Sequence, residues 1–300
     1  MSQPVSASMD TSPALEGLDA SLEASLRDIG IPPRPAVLEQ IMLETRKDEP
    51  DFNRIAGLIT RDVSLSAGFL KTVNSPYYGL RQKVHGVREA LMVMGLNTAA
   101  NTLAGLIVRQ VLPVAAHLER FWDASDRTAQ LSGWLVQKLG VRFGVQAEDA
   151  YTFGLFRDCG IPLLMRRFPS YAQILAGANQ EGVRRFTDIE ESALPTNHAL
   201  VGSLLTQSWW LPKTCTLAIR HHHDIVALDT YASDLPGASR RLIAFAQLAE
   251  RLQQGDSGLN MTREWEKLGE VCMEWLGLTE ADIEELQSES NAFLEQVGQI

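Results

Sequence analysis

Of the six histidines in this chain, His85, His117, His198, His221, His222 and His223, the last four share one stretch, with Asp158 upstream and Asp224 directly after them. Imidazole nitrogens and carboxylate oxygens are the donors that hold zinc, iron, manganese or nickel. Successive residues of a helix point about 100° apart, so His222 and His223 reach one metal centre only where they face a groove. A structural reading accounts for the same residues. His221 to His223 close a helix begun near Thr214, where an imidazolium interacts favourably with the helix dipole. His198 follows Thr196-Asn197, a good N-cap pair, and can satisfy buried carbonyls there. Spacing alone favours this structural reading. No Ser or Cys stands beside a clear base, and Gly154, Gly160 and Gly202 are too scattered to cradle a phosphate.

Other residues qualify as binding candidates by type. Asn74-Ser75-Pro76-Tyr77-Tyr78-Gly79 ends a helix and turns the chain. Tyr77 and Tyr78 either plug the core or present a binding face. Trp209-Trp210 places one indole in the core and leaves Trp210 to cover a surface groove. The pairs Arg166-Arg167, Arg184-Arg185 and Arg240-Arg241 read as solvated helix faces, or as the parts of an anion-binding patch.

The elements that must position these residues repeat at helical spacing, and the fold class is all-α. Val37, Ile41 and Leu43 follow Pro35, which suits a helix start. Ile55, Leu58 and Ile59 continue, then Leu65, Phe69, Leu70 and Val73, stopped by Pro76. Further helices are expected at 90–94, 103–111, about 115–139, 147–158, 197–209, 213–222, 237–254, 261–275 and 279–297. Gly95, Gly140, Gly160 and Gly277 fall where C-caps belong. A tail and two breaks, near Val111-Leu112-Pro113 and Gly255-Asp256-Ser257-Gly258, divide the chain into four parts. These are a flexible tail over 1–20, an N-terminal helical part over 21–112, a helical core over 113–255 and a C-terminal helical pair over 256–300. The last helix carries an apolar stripe of Ile283, Leu286, Phe293, Leu294 and Val297. That stripe packs on the chain's own core or on a partner helix.

Composition sets limits. The 300 residues are 45% apolar and 21% charged, an ordinary globular balance. No apolar run reaches the roughly 18–20 residues of a membrane span. The N-terminus lacks a basic start and an apolar stretch, so no secretory signal is expected and the cytoplasm is the expected compartment. Cys159, Cys215 and Cys272 are odd in number and far apart, which fits buried reduced thiols. A net charge of −10 disfavours nucleic acid as a partner. Much of that charge lies near the C-terminus, at Glu264, Glu266, Glu270, Glu274, Glu280, Asp282, Glu284 and Glu285.

Several motifs carry a resemblance. Phe156-Arg157-Asp158-Cys159-Gly160 is similar to the "LLHDIG" segment of HD-domain phosphohydrolases. Asn197-His198-Ala199-Leu200-Val201-Gly202, running on to Trp209-Trp210-Leu211-Pro212, resembles their "DHAEVGAxLLxxWxLP". Ile219-Arg220-His221-His222-His223 resembles "AIxxHH". In the N-terminal half, Ile31-Pro32-Pro33-Arg34-Pro35-Ala36-Val37, Asp62-Val63-Ser64-Leu65, the Asn74–Gly79 turn and Val87-Arg88-Glu89-Ala90 resemble the HDOD family, an HD-related output domain of bacterial signalling proteins. The resemblance covers roughly residues 25–250. It implies an HD-like helical bundle and a regulatory role.

The resemblance also implies losses from the catalytic HD ligand set. Ala124 stands at the early His position, Arg157 at the His of the His-Asp pair, and Gln247 at the final Asp. Asp158, His198, His222 and His223 remain. A guanidinium cannot ligate a metal. Turned inward, Arg157 stands in for a cation beside Asp158; turned outward, it leaves the site short of ligands. The expected function is therefore a non-catalytic signal transduction module without a cofactor. Its partner is a signalling protein or a small molecule, bound through candidates that include Arg157, Asn74, Tyr77, Tyr78 and Trp210. One alternative is a metal-dependent phosphohydrolase acting on a nucleotide or cyclic dinucleotide, with Fe, Mn, Ni or Zn on the reduced set. Another is a nucleotide or nucleic-acid binding module without catalysis. The oligomeric state stays open.

Overall fold

The computed structural model describes residues 29–112, 119–139, 144–229, 231–258 and 261–298, and these residues contain helices and no strand. The expected tail over 1–20, together with His117 and Gly140, lies outside them. In the N-terminal part, α1 (Ala36–Thr45), α2 (Phe52–Thr60), α3 (Val63–Val73), α4 (Val87–Met94) and α5 (Leu96–Val111) pack around one another. Asp51 and Asp62 start α2 and α3 by accepting backbone N–H groups of the first turn. In α1 the buried stripe is Leu38, Ile41 and Met42, and Leu43 faces out at 49% exposure. Gly95, at φ 75°, is the corner between α4 and α5, which bend by 118°. A side chain there would clash with its own backbone, so glycine makes the corner possible.

The second part comprises α6 (Glu119–Leu139), α7 (Ala147–Phe156), α8 (Ile161–Arg167), α9 (Tyr171–Gln180), α10 (Phe186–Ala193), α11 (His198–Ser208), α12 (Lys213–His221), the short α13 (Ile225–Leu228) and α14 (Gly237–Ser257). α6 lies along α7, and α14 packs on α6, α7 and α12. The C-terminal pair is α15 (Glu264–Leu276) and α16 (Glu280–Gly298), both resting on α14.

One continuous core joins all three parts. Ile41, Phe69 and Leu103 share it with Phe153, Trp209 and Phe245, and with Leu268, Leu286 and Phe293 from the C-terminal pair. The stripe of the last helix therefore packs on this chain. The expected break at 255/256 is corrected. α14 runs through it and ends at Gly258, which takes a left-handed C-cap. Gly255 is a packing notch, since a Cβ there would lie 2.2 Å from Gln287 Oε1 on α16. Gly160 is likewise no C-cap. It precedes α8 with αR backbone. Among the described residues, no single helix is long and apolar enough to cross a membrane. All three cysteines are buried and free.

Candidate functional site

The polar cluster forms where the loop after α7 meets the start of α11 and the end of α12. Asn197 caps α11 through its side chain, accepting Leu200 N–H at 2.7 Å, and so fixes His198 in the first turn. Gly160 lets the two backbones approach: a Cβ there would lie 2.1 Å from the His198 carbonyl oxygen. α12 ends at His221, and the turn that follows directs His222 and His223 inward.

Four ligand-type atoms converge. His198 Nε2 lies 3.2 Å from His222 Nε2 and 3.1 Å from His223 Nε2. Asp158 Oδ1 lies 3.3 Å from His222 Nε2 and 3.6 Å from His198 Nε2. All four atoms fall within 4.8 Å of one another. The opposite edge of each ring is fixed by an acceptor. His198 Nδ1 is 2.8 and 2.9 Å from the oxygens of Glu190, His222 Nδ1 is 2.7 Å from the Ile219 carbonyl, and His223 Nδ1 is 2.5 Å from Glu264. Carboxylates and carbonyls accept, so each Nδ1 is placed to carry a proton and each ring turns its Nε2 to the same point. This is the outer-shell arrangement that orients metal-binding histidines.

The electrostatics point the same way. Burial lowers His222, to about 3, and also holds His223 well below the usual range, with neighbouring rings adding to both. Burial also acts to lower His198, but Glu190 beside it more than reverses the effect. Burial pushes the Asp158 carboxyl up, yet Arg157 and His222 hold it well below its ordinary value. Burial raises Glu250 and Glu264 against the pull of Arg157 and Lys267. Four largely buried carboxylates (Asp158, Glu190, Glu250 and Glu264) thus face two fixed cations, Arg157 and Lys267. Two negative charges are left over. The upward shifts of His198, Glu250 and Glu264 are the protein's response, and a divalent cation would balance the same deficit.

Arg157 points inward. Its Nε and one terminal nitrogen donate to Asp158 Oδ2 at 3.0 and 2.8 Å, and it reaches Glu250 at 3.0 and 3.2 Å. Asp158 is thereby divided: Oδ2 belongs to Arg157 and Oδ1 faces the histidines. A cavity of about 360 Å³ opens alongside, lined among others by Phe121, Ala124, Arg157, Asp158, His223 and Glu250. Gln247 is buried with its Nε2 lacking a protein partner.

The other candidates are placed differently. His221 is half-buried outside the cluster, and Asp224 spends its carboxylate on Val226 N–H and Arg185. Asn74 is a brace: its amide donates to the Leu70 and Val84 carbonyls at 2.9 and 2.8 Å, and its oxygen accepts Val84 N–H at 2.8 Å. Tyr77 is buried, stacked 5.4 Å from Tyr151, and Tyr78 packs edge-on against it. Of the two readings given for them, the packing supports the core plug. Trp209 is buried and its indole N–H donates to the Pro32 carbonyl at 3.2 Å. Trp210, at φ 63°, lies beneath Arg34 and Arg46, whose guanidinium carbons are 3.3 and 4.4 Å from its ring centroid. The arginine pairs gather into no common patch. Arg240 is buried, holding the Ala227, Asp229 and Ser233 carbonyls, while Arg184 and Arg185 pair with Glu181 and Asp188.

Glu190, Glu250 and Glu264 are the site residues that sequence reasoning missed. Glu264 stands among Glu266, Glu270 and Glu274 in an acidic run, and only helix phase separates it: Glu264 is buried and the other three are exposed.

A family model described as "HDOD domain" matches residues 31–225. An uncharacterised protein of Treponema pallidum (strain Nichols) is 26% identical over 243 residues, 80% of this chain and 45% of that protein. The uncharacterised protein YuxH of Bacillus subtilis (strain 168) is 36% identical over 58 residues, 19% of this chain and 14% of its own length. The chain thus spans less than half of either curated relative. Among solved structures, a candidate phosphohydrolase of Shewanella amazonensis SB2B aligns with a TM-score of 0.65 at 18% identity, covering 93% of this chain and 98% of that one. An HDOD domain protein of unknown function from Geobacter sulfurreducens aligns at 0.57 and 17% identity, covering 91% and 97%. These structures share the fold.

Proposed function

The chain belongs to the HDOD domain family, and on that premise we propose that it is a non-catalytic signal transduction protein, acting in the cytoplasm through a partner. One observation carries the reading. The Arg157 guanidinium sits where the resemblance expects a ligating histidine, and it holds both the outer oxygen of Asp158 and Glu250. A fixed cation there repels a metal at that position and denies Asp158 a bridging role.

What remains suits one cation. His198, His222 and His223 offer Nε2 and Asp158 offers Oδ1, a donor set that takes Zn, Fe, Mn or Ni. For zinc, four protein donors complete a structural site, whereas a catalytic zinc keeps one position open for water. A bound ion would supply charge balance for the buried carboxylates and lock α11 to the turn after α12. Were a fifth position open to the cavity, the same ion would polarise a phosphate ester or acidify a water. The cavity beside Asp158 and His223 is the feature that favours this second reading, a phosphohydrolase with a reduced ligand set.

Metal analysis and an assay on purified protein separate the two. We expect about one divalent metal per chain, retained on dialysis, with no turnover of bis(p-nitrophenyl) phosphate or cyclic dinucleotides. Turnover that Asp158→Ala abolishes would overturn the non-catalytic reading.

A further inference from the structure

The segment that follows the cluster holds apolar side chains in solvent. Ile225 is 45% exposed, Val226 54% and Tyr231 fully exposed. Opposite them, α15 presents Val271, Glu274 and Trp275, and the two walls enclose a furrow of about 770 Å³. Contiguous exposed apolar surface with a polar rim is the mark of an interaction site. The rim here is acidic. Asp229 and Glu274 are the charged residues lining the furrow, and both are exposed, with Glu270 one turn away on the Glu274 face of α15. Arg240 and Arg241 stand 5.4 and 5.5 Å from the Trp275 ring centroid, outside the furrow's lining.

The walls are built. Arg240 donates to the Ala227 and Asp229 carbonyls at 3.0 and 3.1 Å, Trp275 Nε1 donates to the Leu228 carbonyl at 2.9 Å, and Asp224 caps the segment through Val226 N–H at 3.1 Å. These bonds hold Ile225 and Val226 outward instead of letting them collapse onto the core. Preformed surface of this kind lowers the ordering cost of binding. Both walls also begin at the cluster. His223 immediately precedes Asp224, and Glu264, the first residue of α15, holds His223 Nδ1.

We infer that this furrow is the docking site for a partner protein's segment carrying aliphatic or aromatic side chains next to lysine or arginine. The apolar side chains fill the space between Val226, Tyr231 and Trp275, and the cation meets Asp229 and Glu274. Charge complementarity selects a basic segment over an acidic one. The inference rests on the regulatory reading, for which it supplies the partner's chemistry.

The test uses the full chain and two short fluorescein-labelled peptides, one of Leu, Trp and Lys and its counterpart with Glu in place of Lys. Fluorescence anisotropy is read at physiological salt, with light scattering and phosphodiesterase turnover measured on the same samples. We expect the Lys peptide to bind, and Val226→Glu and Tyr231→Ala each to weaken it by roughly tenfold or more. The double charge reversal Asp229→Lys/Glu274→Lys should transfer the preference to the Glu peptide, with circular dichroism unchanged. Equal binding of the two peptides, no binding, or indifference to the charge reversal would overturn the inference. So would concentration-dependent self-association of the wild-type chain that Val226→Glu removes, since a second copy would then occupy the furrow. Phosphodiesterase turnover on the same samples keeps the readings apart. Peptide selectivity in a chain with turnover leaves the furrow standing and removes the non-catalytic reading, while a chain with neither turnover nor selectivity does the reverse.

Discussion

The histidine cluster and the Asn74–Gly79 turn are both rich in hydrogen-bonding side chains, yet they use that capacity in opposite ways. In the turn, Asn74 spends its amide on three backbone groups, and the rings of Tyr77 and Tyr78 pack against each other and Tyr151. In the cluster, each ring spends one nitrogen on an acceptor and leaves the other aimed at its neighbours. Lone pairs that face one another at 3.1 and 3.2 Å repel unless a proton or a metal ion lies between them. Asn74 is saturated within the chain, whereas the cluster leaves four ligand-type atoms converging on one point that a proton or a cation would fill. Residue type alone does not distinguish the two; whether the free polar atoms converge on one point does.

Breaking the cluster should have the largest effect. His198→Ala removes the Nδ1–H donor from Glu190, whose side chain is fully buried, and leaves that charge with the backbone N–H of residue 198 and the Tyr171 hydroxyl. Stranding one partner of a buried pair costs about 3–5 kcal/mol. We expect that loss in urea denaturation, together with loss of stoichiometric metal. Unchanged stability would show that Glu190 takes up a proton without cost. Gly160→Ala attacks the same region through the backbone. Its Cβ meets the His198 carbonyl at 2.1 Å, so α8 and α11 must part. Overpacking of this kind costs on the order of 1–3 kcal/mol or more. The accompanying prediction is weakened metal retention, because His198 moves with its carbonyl.

In the turn, Asn74→Ala should destabilise without touching the metal. It strips partners from the Val84 N–H and carbonyl, for roughly 1–3 kcal/mol. Loss of metal in this variant would show that the two regions are coupled through the core, and the contrast between them would fall.

How much was legible in advance follows the same division. Asp158, His198, His222 and His223 were readable because few side chains serve as donors to a metal, and the motifs around them are specific. Their supports were not. Glu190 lies on α10, whose buried face is only Phe186 and Glu190, too sparse an apolar stripe to announce a helix. α9 is similar, burying Tyr171 and Ala178 alone. Missing α10 meant missing the carboxylate that fixes His198. The helices α11, α12 and α14 were placed to within a few residues, since burial of a continuous stripe dominates their energetics, whereas α5 begins seven residues before the expected 103. Gly255 and Gly160 misled for one reason. Glycine marks both chain ends and close approaches, and sequence does not say which.

The finest test of the contrast is Tyr77→Phe. The Tyr77 hydroxyl is buried without a protein partner, and its ring packs where a Cβ on Gly133 would lie 2.3 Å away. If the residue is a plug, its ring does the work and its hydroxyl is dispensable. Removing an unsatisfied buried polar group is close to neutral and can be stabilising, so the change should stay within about 1 kcal/mol. Stacking on Tyr151 needs only the ring and survives the substitution. A destabilisation of several kcal/mol would mean the hydroxyl holds an ordered water shared with a neighbouring polar group. The turn would then also be completed from outside the chain, by solvent where the cluster calls for a cation.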